Sequence, residues 1–283
     1  MRAPVIFALF ISVLCSLPMP GLAAETGDKP LLFGFLPSRS PISLFKHYKP
    51  LVDYVSSQLH RNILIETAAD YSSFVQRTKD RHYDFVLTAP HFALMATDSG
   101  KYYSPITYTK GLMADILVAK NSPLSQVQQL AGKSISIPPE SAIISMAGKY
   151  FLRQHGLSAA RSPHYKVANS HNDSVHAMLS GETDAAIVSV NITRQFSQKH
   201  LPIKKLACTE RLPGMAILVA RDLPKRLRVS FTQAFTQMKS KPAGQAALNK
   251  MGYPGYRRTR KNEYEAVRPF IKMYMDSVKN GKD

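Results

Sequence analysis

Residues 114–124 read ADILVAKNSPL, and residues 215–224 read MAILVARDLP. Each is a short run of apolar residues bounded by turn formers, the pattern of a fully buried strand. One precedes a block of alternating strand-like and helix-like segments, and the other follows it. Two like strands on either side of one block are expected where a chain crosses twice between two lobes, and the crossings would serve as a hinge. The resulting division is a first lobe over 25–115, a second lobe over 116–213, and a return over 214–283 whose helices complete the first.

The segments on either side support an α/β architecture. LLFGFLP (31–37), NILIET (62–67) and YDFVLT (83–88) read as buried strands. Between the first two, Leu44, Tyr48, Leu51, Val52, Val55 and Leu59 recur at helical spacing. Asp70 is placed to cap a helix carrying Phe74 and Val75, and Pro90 to begin another. The pattern restarts with the strand SISI (134–137), a helix over about 141–155, and the strand YKVAN (165–169). A helix over 171–180 follows, capped by Ser170 and presenting Val175, Met178 and Leu179, and then the strand DAAIVSV (184–190). Strand–helix–strand repetition predicts two mostly parallel sheets flanked by helices. Their cleft would lie at the carboxyl ends of the strands.

The N-terminus has the features of a secretory signal over 1–24: Arg2, an apolar run from Val5 to Leu17, and small residues at Gly21, Ala23 and Ala24. A soluble exported protein is therefore expected. With Cys15 in that signal, Cys208 is left alone and no internal disulfide can form. Leu206 and Ala207 beside it favour a buried, inert thiol. The chain has 37 basic and 19 acidic residues, a net charge of +18 that becomes +17 once Arg2 is removed. Such a field attracts anions. RRTRK (257–261) is the one dense basic run, without zinc-finger spacing or an RNA-binding aromatic signature, so nucleic-acid binding is not expected.

Catalytic patterns are absent. AGKS (131–134) lacks the glycine a phosphate loop needs five residues before Gly132, where Val127 stands. No G-x-S-x-G is present, and His171 and His176 are five apart, which keeps them off one helix face. The chain is expected to bind rather than catalyse, with no metal and no cofactor.

Four stretches carry a resemblance to a known family: FGFLPSRSPISLFKHYKPLVDYVSSQL (33–59), DYSSFVQRTKDRHYDFVLTAPHFALMA (70–96), SPLSQVQQLAGKSISI (122–137) and SHNDSVHAMLSGETDAAIVS (170–189). In this order, over about residues 31–255, the chain resembles the phosphate/phosphite/phosphonate-binding periplasmic proteins that serve ABC importers. The resemblance implies the two-lobed type II periplasmic-binding fold, a small oxyanion-like ligand closed between the lobes, and an ABC permease as partner. The alternative is a ligand-sensing receptor that acts on a sensor-kinase periplasmic domain or chemoreceptor. A monomer is expected in either case. By resemblance, Tyr71 matches a ligand-contacting tyrosine, TAPHF (88–92) a strand-end loop lining the first lobe, and SHN (170–172) a second-lobe segment facing the ligand, with Asn172 where the family carries an acid. The expected ligand set is Tyr71, Thr88, His91 and Phe92 from the first lobe, with Ser141, Ser145, His171 and Ser189 from the second. Tyr71 and Phe92 would form walls, the hydroxyls would donate hydrogen bonds, and the two histidines would make affinity pH-dependent near neutrality.

One departure is conspicuous. In SISIPPESAIISMAGKYFLRQHG (134–156), Ala142, Ile143 and Ile144 stand where the phosphonate binders carry Ser-Thr-Ser. Each hydroxyl bonded to a charged ligand contributes on the order of 1.5–3 kcal/mol, so losing three removes roughly 5–9 kcal/mol unless Ser141 and Ser145 substitute. Glu140 would add repulsion unless it points away, and Ile143 and Ile144 have the alternative task of packing the helix onto its sheet.

Overall fold

The computed structural model describes residues 29–279. The expected signal segment, 1–24, lies outside the described residues. The chain runs β1 (Leu31–Phe35), α1 (Pro41–Leu59), β2 (Ile63–Glu66), α2 (Tyr71–Lys79), β3 (Phe85–Thr88), α3 (Pro90–Asp98) and β4 (Tyr102–Tyr108). It continues through β5 (Ala114–Ala119), β6 (Ser134–Ile137), α4 (Ile143–Gln154), β7 (His164–Val167), α5 (His171–Leu179), β8 (Ala185–Ser189), α6 (Val190–Gln198) and β9 (Ile203–Cys208). The return consists of β10 (Ala216–Ala220), α7 (Lys225–Thr236), α8 (Pro242–Met251), β11 (Tyr256–Arg258) and α9 (Arg268–Lys279).

Two sheets form, in the orders β2-β1-β3-β10-β4-β11 and β7-β6-β8-β5-β9. The first four positions correspond: β2 and β7 are the edges, β1 and β6 sit second, β3 and β8 third, and β10 and β5 fourth. The repeated ILVA strands are therefore equivalent members of two sheets. Each is antiparallel to its neighbour, β10 to β3 and β5 to β8. Parallel pairing is confined to β2-β1-β3 and β7-β6-β8. The sheets are thus mixed, because a strand arriving from the other lobe enters in the opposite sense.

The crossings themselves occupy 109–113 and 209–215, so the expected division after residue 115 falls inside β5. They run side by side: Leu112 and Leu212 exchange backbone hydrogen bonds of 3.0 and 2.8 Å, and the Tyr108 amide donates to the Met215 carbonyl at 2.9 Å. A Cβ on Gly111 would lie 2.5 Å from the Leu212 carbonyl oxygen, and one on Gly214 would lie 2.7 Å from that of Tyr108. Only glycine permits this approach.

Local signals explain the helices that position the cleft. The Asp70 side chain accepts from the Ser73 amide at 2.7 Å, and that of Ser170 from the Asp173 amide at 3.2 Å, so both expected caps form. Leu44, Tyr48, Leu51, Val52 and Val55 of α1 are buried against the first sheet. One apolar cluster runs from Phe74 and Phe92 of the first lobe to Ile137, Ile143 and Ile144 of the second. The helix α9 rests on both: Phe270 meets Tyr150 of α4 at 5.7 Å, Tyr274 meets Phe92 of α3 at 4.8 Å, and Arg268 pairs with Asp98 at 3.0 Å.

Candidate ligand cleft between the lobes

On the first lobe, β3 is buried along its whole length and delivers Thr88 to its carboxyl end. Pro90 then starts α3 at a position that needs no amide donor. The next two residues are His91, fully buried, and Phe92, 4% exposed. The Thr88 Oγ1 and both ring nitrogens of His91 are buried without a hydrogen-bond partner. Burial holds the His91 ring down to about 3, with the Ser141 backbone opposing in part, so the ring is neutral at pH 7. Thr88 and Phe92 border a cavity of about 10 Å³ with Phe74 and Met95, roughly the room one water needs. Tyr71, the first residue of α2, turns its ring edge toward Phe92 with centroids 6.1 Å apart.

On the second lobe, the Pro138–Ala142 turn joins β6 to α4. Ser141 is 2% exposed and its backbone reaches His91, so the two lobes meet here. Ser145 was expected to donate to a ligand; its hydroxyl instead donates to the Pro138 carbonyl at 2.9 Å, tying the turn to the helix. Ile143 and Ile144 are each 5% exposed and belong to the cluster shared by both lobes. Packing is therefore their structural role. Glu140 forms an ion pair with Lys149, which also lies 4.6 Å above the Tyr165 ring. The carboxylate that would have repelled an anion is thereby balanced.

His171 and Ser189 form a separate pair at the amino ends of α5 and α6. The Ser189 amide donates to His171 Nδ1 at 3.3 Å, which leaves the Nε2 position of the neutral ring to carry the proton. Burial lowers this ring to about 4. The expected pH dependence near neutrality is therefore overturned for both histidines, because both are already uncharged there. Cys208 is half-buried rather than buried, yet desolvation, followed by Asp115, pushes its thiol up to about 11, so the thiol stays protonated at neutral pH.

The structure thus brings together Tyr71, Thr88, His91, Phe92 and Ser141. It adds Tyr274 of α9, whose ring lies 6.2 Å from His91 and 4.8 Å from Phe92. Nothing in the reading of the C-terminal segment singled out Tyr274. The spacing of Phe270, Tyr274 and Ser277 along one buried helical face was the available signal. The combined surface is aromatic and aliphatic, with a few uncharged polar atoms facing inward.

Two sheets of matching order over four positions, joined by paired crossings and meeting at the Ser141 turn, have the type II periplasmic-binding fold. Residues 33–264 match the family of ABC transporter phosphonate periplasmic substrate-binding proteins, and the chain belongs to that family. Similar solved structures include PhnD1 from Prochlorococcus marinus in complex with methylphosphonate, at 14% identity and TM-score 0.76, covering 90% of this chain and 99% of that one. A Xanthomonas citri protein bound to ATP gives 17% identity and TM-score 0.74, with coverages of 88% and 98%. A binding protein component of an ABC phosphonate transporter from Pseudomonas aeruginosa gives 12% identity and TM-score 0.74, with 90% of each chain covered. Among curated protein sequences, none matches.

Proposed function

We propose that this chain is a periplasmic receptor that closes residues 29–108 with 216–279, as one lobe, against 114–208, as the other, and presents the trapped ligand to an ABC permease. The observation that carries this reading is the unpartnered Thr88 hydroxyl, buried beside the His91 ring where the Ser141 turn meets the first lobe. Such a group costs about 1–3 kcal/mol when left unsatisfied, and a ligand that bonds to it accounts for its retention. The methylphosphonate of the Prochlorococcus relative makes phosphonates the first class to test. The Tyr71–Phe92 ring pair and the uncharged histidines favour a ligand that also has an apolar part. Tyr71 and Phe92 would pack against that part, and Thr88, His91, Ser141, His171 and Ser189 would contact its polar atoms. Binding without turnover, as a monomer, completes the reading. Family membership favours the permease over a sensor kinase as partner.

Calorimetric titration of the exported chain with phosphate, phosphite, methylphosphonate, sulfate, tetrathionate and small organic acids tests this. The reading expects one saturable ligand whose affinity falls at least tenfold in Tyr71→Ala. Full affinity in Tyr71→Ala would place the cleft elsewhere, and release of a chemically altered ligand would make the protein an enzyme.

A further inference from the structure

A second pocket lies on the other face of the first sheet. The strands β1 and β3 separate Thr88, whose neighbours Phe74 and Val75 cover one face, from α1, α7 and α8, which cover the other. The start of α1 and the end of α8 border an open pocket of about 610 Å³. Three cations line it from three places in the chain: Arg39 from the loop after β1, Lys46 from α1 and Lys250 from α8. Ser40, Ser43 and His47 also line it, and no carboxylate does.

Several surface cations elsewhere are held by carboxylates. Lys49 pairs with Asp53, Arg77 with Glu66, Arg257 with Glu263 and Arg268 with Asp98. Among the described residues, no ion pair includes Arg39, Lys46 or Lys250. The Ser40 hydroxyl makes no capping bond to α1, so it too is unspent. The field of Arg39, acting after burial, helps hold the His47 ring down to about 4, as an uncompensated positive charge should.

We propose that this pocket is a second anion site, distinct from the interlobe cleft, for a small molecule bearing two or more phosphate or carboxylate groups. Cations on three separate elements match separated negative groups, and Ile42, 72% exposed on the rim, offers an apolar wall to the body between them. His47 reports on occupancy. It faces Arg39, Lys46 and Lys250 in the pocket, while its Nε2 lies 3.1 Å from the Tyr253 hydroxyl and its ring packs on Tyr48 and Tyr253. An anion seated among the cations favours the protonated ring and raises its pKa.

Tripolyphosphate is the probe, titrated into the full exported chain at physiological salt by calorimetry and by histidine-ring NMR, with orthophosphate alongside. The expected result is one saturable site, orthophosphate at least tenfold weaker, and a His47 titration that moves upward from about 4. Arg39→Gln and Lys250→Gln should each weaken binding at least tenfold, while Lys239→Gln, exposed and outside the pocket, leaves it unchanged. Equal weakening by Lys239→Gln, or a stationary His47, would reduce the effect to diffuse attraction by a cationic protein and overturn the proposal. Loss of binding in Thr88→Val would move the probe to the cleft and overturn it also. Binding to phosphatidylglycerol vesicles through Arg39 and Lys250, with none to tripolyphosphate, would assign the pocket to a membrane surface instead.

Discussion

Replacing Thr88 by valine keeps the shape of a 1%-exposed side chain and deletes a hydroxyl that no protein group satisfies. Without ligand, Thr88→Val should leave stability unchanged or raise it by about 1–2 kcal/mol in urea unfolding, and ligand affinity should fall. A clear loss of stability would mean that the hydroxyl has a protein partner. The neighbouring His91 sets a pH dependence with a definite sign. Its ring titrates near 3 in the folded chain and near 6.5 when unfolded. Above about pH 6.5 neither form carries the proton and stability is flat. As pH falls from there toward 3, the unfolded chain takes up a proton that the native ring refuses, and stability drops by at most about 1.4 kcal/mol per pH unit from this residue. In His91→Gln the acid limb between pH 6.5 and 4 should be shallower, with His47 and His171 supplying what remains. An unchanged slope would contradict a buried neutral ring. Thr88 and His91 were legible as site candidates through the resemblance of TAPHF to the strand-end loop of the family. The Ser145 bond to Pro138 was not, since nothing in residue order shows which carbonyl a hydroxyl will meet.

At the scale of elements, the α4 turn and the crossings carry the specific behaviour of this chain. Ile144 is 5% exposed within an apolar cluster, so Ile144→Ser, a step toward the Ser-Thr-Ser of the phosphonate binders, should cost about 2–5 kcal/mol in denaturant unfolding. A change within about 0.5 kcal/mol, as for a surface position, would mean that the side chain faces an open cleft. Gly214→Ala should also destabilise, by roughly 1–3 kcal/mol, because its Cβ would press on the Tyr108 carbonyl. A neutral result would show that the crossing has slack. The strands with continuous apolar runs were readable in sequence. By contrast β4 is interrupted by Pro105, β9 carries Lys204 and Lys205, and β11 is only three residues long. Each depends on a neighbour strand for its place, and such pairing leaves little local signal.

Over the whole molecule, the ADILVA and MAILVA strands, β5 and β10, hold the fourth place in two sheets whose first four positions correspond. Residue order could not show that α9 would span both lobes, since a helix that touches two surfaces has the same periodicity as one that touches a single surface. That placement ties Phe270 and Tyr274 to α4 and α3, so lobe movement must carry α9 along with one side or slide it against the other. The family and the fold are those of a periplasmic substrate-binding protein of an ABC transporter, and closure on a ligand is the proposal they support. The particular ligand rests on the uncharged polar groups at the lobe junction.

The most direct test is a thermal melt of the exported chain and of its Thr88→Val variant across the same ligand panel. A compound present at a hundred times its dissociation constant adds about 2.7 kcal/mol of stability. The account predicts at least one compound that raises the melting temperature of the wild-type chain and loses most of that shift in Thr88→Val. A compound that stabilises both proteins equally would contradict it, because the ligand would then be held without the group at the centre of the proposed cleft.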